Sequence, residues 1–329
     1  MITSSDLLRL SYTRDLTEGG IAYALHALQH AYGYPRRGGS AYDRLRRAIA
    51  GAAVELAFRR YLSQNGIPFE IKGAAPFTEP DRYDVTLGGR RCEIQTLLMS
   101  HRDPIAQIQR DPQVLFRAPA RVASDQHAAA THSPRDLYLF AFLLGHTATS
   151  PHELQTAVEA KKPYFLVHVM PDAWKRPSKW VPLGRLALKS DSDEPLLVEL
   201  GGQDEGRDFR SCSLELPPRA RVETETRLFS LAYIHARSSP GGRIGIHSPV
   251  RRETHVIGAS DWGNIWLDGL DIILAGYLSH EEFSRRASFV PAGSEVSQYD
   301  PIHEKHLVVP LSELRPLAEL FERVRAWKE

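Results

Sequence analysis

The feature that most constrains this fold is Gly88-Gly89, flanked by two short stretches of alternating polarity, residues 83–87 and 90–96. A Gly-Gly pair in this setting predicts a two-residue β-hairpin turn, because such turns favour positive φ at their central residues. The turn fixes the register: Leu87 faces Arg90, Thr86 faces Arg91, Val85 faces Cys92 and Asp84 faces Glu93. Side chains alternate along a strand, so Val85, Cys92 and Ile94 form an apolar face and Asp84, Glu93 and Gln95 share the other. Opposed carboxylates, with β-carbons roughly 5 Å apart, repel each other. A hard divalent cation relieves that repulsion, and Mg²⁺ is commonly held by one or two carboxylates together with substrate phosphates. The hairpin therefore predicts a metal site on Asp84 and Glu93, with Mn²⁺ expected to substitute. A solvated acidic edge without metal is the other reading of these residues.

Asp84, followed after eight residues by Glu93-Ile94-Gln95, resembles the Asp…(Asp/Glu)-x-Lys signature of the PD-(D/E)xK nuclease superfamily, the restriction-endonuclease-like fold. The resemblance covers roughly residues 40–145, and its motif is short and degenerate. It implies an α/β core, a mixed central sheet flanked by helices. It also implies a further acid on a preceding helix, and Glu55, within the helix expected over residues 42–64, matches that position. The implied site is Glu55, Asp84, Glu93 and Gln95, with Glu55 joining the metal through a water or a second ion. Arg82-Tyr83 stands where the family has a proline, and Gln95 stands where it has the lysine that orients or activates the attacking water. Some restriction enzymes of the superfamily carry glutamine there. Glu55 has a plainer reading, since Arg59 lies four residues on and an i,i+4 ion pair would occupy it.

The chain has 329 residues, enough for one elaborated domain or two, and its formal net charge of +1 does not by itself mark a nucleic-acid binder. Cys92 and Cys212 provide no disulfide framework and suit a reducing cytoplasm. The first residues lack a signal-peptide pattern, and the longest apolar run, residues 137–144, is a buried strand too short to cross a membrane. No P-loop, Gly-x-Ser-x-Gly or paired-cysteine motif occurs, and His303-Glu304-Lys305-His306 lacks the spacing of a helical zinc site.

Positive charge gathers instead in residues 161–190. Within it, Trp174-Lys175-Arg176-Pro177-Ser178-Lys179-Trp180 interleaves cations with aromatics, a pattern suited to phosphates and stacked bases; a solvated loop anchored by two tryptophans is the alternative. Arg36 and Arg37 add two exposed cations in a Pro/Gly-rich break. The expected organisation is a nuclease-like core with N-terminal helices over 1–150, a basic segment and β-rich insert over 151–258, and a closing αβ segment over 259–329. The expected function is Mg²⁺-dependent hydrolysis of double-stranded DNA in the cytoplasm, in restriction or phage defence, with a homodimer left open. The alternative is a catalytically silent nuclease fold that binds nucleic acid or assembles with partners.

Overall fold

The Gly88-Gly89 turn forms as its sequence dictates. Both glycines have positive φ, at 55° and 72°, and the paired residues are Val85↔Cys92, Thr86↔Arg91 and Leu87↔Arg90. A computed structural model of the chain describes residues 2–31, 41–71, 85–128, 132–148, 150–161, 165–236, 238–264, 267–294 and 304–326. Asp84, Arg36, Arg37 and His303 lie outside the described residues. Contacts divide the chain into two units, Met1–Ala24 with Tyr34–His146 and Asp268–Glu329, and Leu25–Gly33 with Thr147–Leu267. The closing segment thus groups with the N-terminal segments.

The first unit is mixed α/β. Its sheet runs in the order Leu8–Ser11, Leu267–Ser279, Leu137–Thr147, Arg90–Met99, Val85–Leu87. Strand Arg90–Met99 is parallel to Leu137–Thr147 and antiparallel to Val85–Leu87, so the sheet is mixed. Alternation gives strand Arg90–Met99 two faces. Leu97 and Met99 join a core with Ile105 and Ile108 of helix Arg102–Arg110, with Phe140, and with Phe283. The opposite face, Cys92, Ile94, Thr96 and Leu98, is left for helix Ala41–Gln64, which packs on the same strand. That helix buries Leu45, Ile49, Ala52 and Ala53 as its periodicity predicts, whereas Leu56, expected on the same stripe, is 36% exposed. Asn65-Gly66 ends it, Gly66 taking φ 61° as a C-terminal glycine does.

Local pattern misplaces several strands. Residues 1–35 read as helical, yet strand Leu8–Ser11 precedes helix Arg14–Ala31 and pairs with Leu267–Ser279. Residues 67–71, expected as a strand, form only an isolated bridge, Glu70↔Thr86. The helical pattern over 104–122 resolves into helix Arg102–Arg110, a 3₁₀ turn Pro112–Arg117 and strand Pro119–Ala123. Pro119 opens an edge strand of a three-stranded sheet, the position where a missing N–H does least harm.

The second unit is β-rich. One antiparallel sheet orders Gly263–Asn264, Leu166–Val169, Ser230–Ala236, Leu196–Gln203, Phe209–Leu216. The other orders Arg221–Glu223, Ala187–Ser190, Ile244–Ser248, Glu253–Ile257. Both contribute to one core, with Val198, Leu200 and Ile234 from the first and Leu188, Ile246 and Ile257 from the second.

Candidate functional site at the hairpin end of the first unit

Glu93 occupies the fourth position of strand Arg90–Met99, beside Tyr138 on the parallel neighbour. Its carboxylate is 16% exposed and sits among polar partners. Gln126 Nε2 donates to Glu93 Oε2 at 2.8 Å, and His132 Nε2 lies 3.6 Å from Glu93 Oε1. The same Nε2 is 3.0 Å from the Gln126 carbonyl, which can only accept, so it carries a proton. His132 Nδ1 is 4.0 Å from Asp136 Oδ2. Asp136 is fixed in turn by the backbone N–H of Ser133, which donates to it at 2.7 Å. Burial pushes the Glu93 carboxyl up from the ordinary carboxylate range, opposed by His132, by the Gln126 hydrogen bond and by Arg91. A carboxyl raised in this way is a stronger proton acceptor than an exposed one.

Three imidazoles stack beside it. His127 and His280 have ring centroids 4.2 Å apart, and His132 and His280 are 5.1 Å apart. Ser279 places His280 at the first position of helix His280–Arg286, because Ser279 Oγ accepts from Glu282 N while Glu282 returns to the Ser279 N–H. His280 Nε2 lies 3.2 Å from the His127 carbonyl. Its backbone N–H donates to the Asp136 carbonyl at 2.7 Å. His127 Nδ1 meets the Tyr138 hydroxyl at 3.2 Å and its Nε2 meets Ser284 Oγ at 3.0 Å. Burial, and after it Glu93 and Asp136, push the Tyr138 phenol up, so it stays protonated.

His127 is lowered to about 4, first by burial and then by the charges of His280 and His132. Its unfolded imidazole titrates near 6.5, so the folded state binds fewer protons between those values. The stability it contributes is complete above pH 6.5 and is lost as pH falls towards 4. Urea midpoints measured between pH 4 and 7 should therefore fall more steeply with acid in wild type than in His127→Gln. Equal falls would contradict a neutral, half-buried His127.

A groove of about 430 Å³ abuts this cluster through Asp136. The Gly88-Gly89 turn, Arg90, Arg91, Ser133, Arg135 and Asp136 line it. Arg91 lies two residues before Glu93 on the same strand face, and its charge lowers the Glu93 pKa. Burial depresses the Arg90 pKa, and the neighbouring charges of Arg135 and Arg323 depress it further. Positive charge so crowded favours an anionic ligand.

The expected site residues are distributed unevenly. Glu93 and Gln95 share the strand face with Leu97, and Gln95 pairs in register with Phe140. Glu55 forms an ion pair with Arg59 on its own helix, the plainer of the two sequence readings. Asp84 lies outside the described residues. Among the described residues no group of three or more His, Cys, Asp or Glu is arranged to hold a metal ion. The described donors thus do not make up the expected Mg²⁺ centre, because Glu93 is engaged by Gln126 and His132 and Glu55 by Arg59. Sequence reasoning missed His127, His132, Asp136, Tyr138 and His280. The one available signal was the clustering of histidines around residues 127–132.

The basic segment of the second unit also differs from expectation. Trp174 is fully buried, so it is core and not a surface on which bases stack. Trp180 is half-buried; its Nε1 donates to the Glu205 carbonyl at 2.9 Å, and the Arg207 guanidinium lies 4.9 Å from its ring centroid. Lys175 pairs with Asp172 at 2.9 Å, while Arg176 and Lys179 are exposed.

Compared with protein-family models, with curated proteins and with solved structures, the chain matches none.

Proposed function

We propose that the hairpin end of the first unit is a phosphodiester-cleaving centre and that the protein is a nuclease. One observation carries this reading: a three-arginine groove shares Asp136 with a half-buried Glu93–His132 cluster. Arginine presents a rigid fork of donors that matches phosphate oxygens, so Arg90, Arg91 and Arg135 would bind and orient the diester. Glu93, raised by burial, would accept the proton of the attacking nucleophile. His132, held by the Gln126 carbonyl, would position and stabilise that carboxylate as it changes charge. A mixed sheet flanked by helices, with Glu93-x-Gln95 beside a hairpin, supports a restriction-endonuclease-like core. The resemblance extends the reading to double-stranded DNA and to restriction or phage defence, while Cys92 and Cys212, with no disulfide framework, suit a cytoplasmic setting. The resemblance also extends the reading to Mg²⁺ or Mn²⁺ as cofactor, an expectation that now rests on Asp84.

Purified protein incubated with plasmid, single-stranded DNA and RNA, each with Mg²⁺ or with EDTA, tests this. Cleavage of duplex DNA is the expected result, and loss of cleavage in EDTA would establish the metal requirement. Two observations favour the silent binding module instead: the Glu55–Arg59 pair and the glutamine at position 95. Binding of nucleic acid without cleavage under every metal condition would select it.

A further inference from the structure

We infer that His168 and His255 form a binding site for a borderline transition-metal ion of the Zn²⁺, Ni²⁺ or Cu²⁺ class, joining the two sheets of the second unit. The inference is independent of the nuclease reading. His168 belongs to strand Leu166–Val169 of the five-stranded sheet and His255 to strand Glu253–Ile257 of the four-stranded sheet. Their Nε2 atoms face each other at 2.8 Å.

The tautomers follow from the surroundings. His168 Nδ1 lies 2.8 Å from the Asp261 carbonyl oxygen, which can only accept, so Nδ1 carries the proton. In the neutral ring Nε2 is then bare, and His255 Nε2–H donates to it. A histidine whose Nδ1–H is held by a backbone carbonyl, leaving Nε2 free to ligate, has the outer-shell arrangement typical of metal-bound imidazole. His255 needs only to move its proton from Nε2 to Nδ1, so both rings can ligate without net proton release.

Two imidazoles at metal–nitrogen distances of 2.0–2.1 Å in a tetrahedral site would hold their Nε2 atoms about 3.3 Å apart. The pair must therefore open by roughly half an ångström, within reach of ring rotation. Trp262 stands edge-on to His168 with ring centroids 6.2 Å apart, and Trp174 is 6.4 Å from His255, so indole rings flank the pair. Two nitrogen donors suit Zn²⁺, Ni²⁺ and Cu²⁺ and disfavour Mg²⁺, which takes oxygen. With two protein ligands among the described residues, water completes the sphere. The ion would act as a clamp between sheets.

Thermal unfolding of the whole 329-residue chain with ZnCl₂, NiCl₂ or MgCl₂ tests the site in wild type, His168→Gln, His255→Gln and Glu93→Gln. Wild type and Glu93→Gln should melt higher with Zn²⁺ or Ni²⁺, and both histidine variants should lose that response. Cu²⁺-loaded wild type should show electron paramagnetic resonance coupling to two imidazole nitrogens, a readout that does not depend on the variants folding. A response that survives both histidine substitutions overturns the inference. So does its loss in Glu93→Gln, or a wild-type protein that takes up none of these ions.

Discussion

Trp174→Ala should destabilise the second unit by about 3–5 kcal/mol, the range for truncating a large aromatic in a core. Trp174 is fully buried among Met170, Leu183, Leu186 and the strands of both sheets. Its Nε1 donates to Glu253 Oε1 at 3.0 Å, and the Arg251 guanidinium lies 5.1 Å from its ring centroid. Truncation leaves a cavity, removes a partner of Glu253 and takes away the surface beneath Arg251, so three losses coincide. Urea denaturation monitored by circular dichroism would measure it. A loss within about 0.5 kcal/mol, typical of a surface position, would contradict the placement of Trp174 in the core.

Nucleic-acid affinity should depend on the groove arginines. Arg91→Ala with Arg135→Ala removes two of its three guanidinium groups. Each phosphate contact on duplex DNA contributes about 0.9 to the slope of log affinity against log salt, so the slope should fall by up to about 1.8 in the double variant. The weakening should be similar for unrelated sequences, because phosphate contacts carry no base information. Fluorescence anisotropy across a salt series gives both numbers. Arg176→Ala with Lys179→Ala, at the exposed positions of the second unit, provides the comparison. If that variant loses the slope and the groove variant keeps it, the polyanion surface lies in the second unit.

How much of this was legible in the sequence varied with the range of the interactions involved. The hairpin was readable because a Gly-Gly turn specifies positive φ and register within a few residues. Helix Ala41–Gln64 was readable because 3.6-residue periodicity and a C-terminal glycine are local signals. Strand Leu8–Ser11 was not, since it exists through pairing with Leu267–Ser279, far along the chain. The candidate site fails to show for the same reason. Glu93 was visible within its strand, but His132, Asp136, Tyr138 and His280 converge from three other segments. Trp174 stayed ambiguous because a tryptophan amid cations has the same local pattern whether it anchors a core or stacks on a base. Tertiary contacts, here Glu253 and Arg251, decide between them.

If Glu93 accepts the nucleophile's proton beside the arginine groove, as proposed, Glu93→Gln removes the acceptor and leaves the groove residues in place. The amide keeps the shape and can still accept from Gln126 Nε2, so the local hydrogen bond can survive. It also removes a carboxylate that burial disfavours, so the variant should fold at least as stably as wild type near pH 7. Cleavage of duplex DNA should be abolished under single-turnover conditions, while affinity and its salt dependence stay at wild-type values. Full cleavage by a folded Glu93→Gln protein would rule out Glu93 as the proton acceptor.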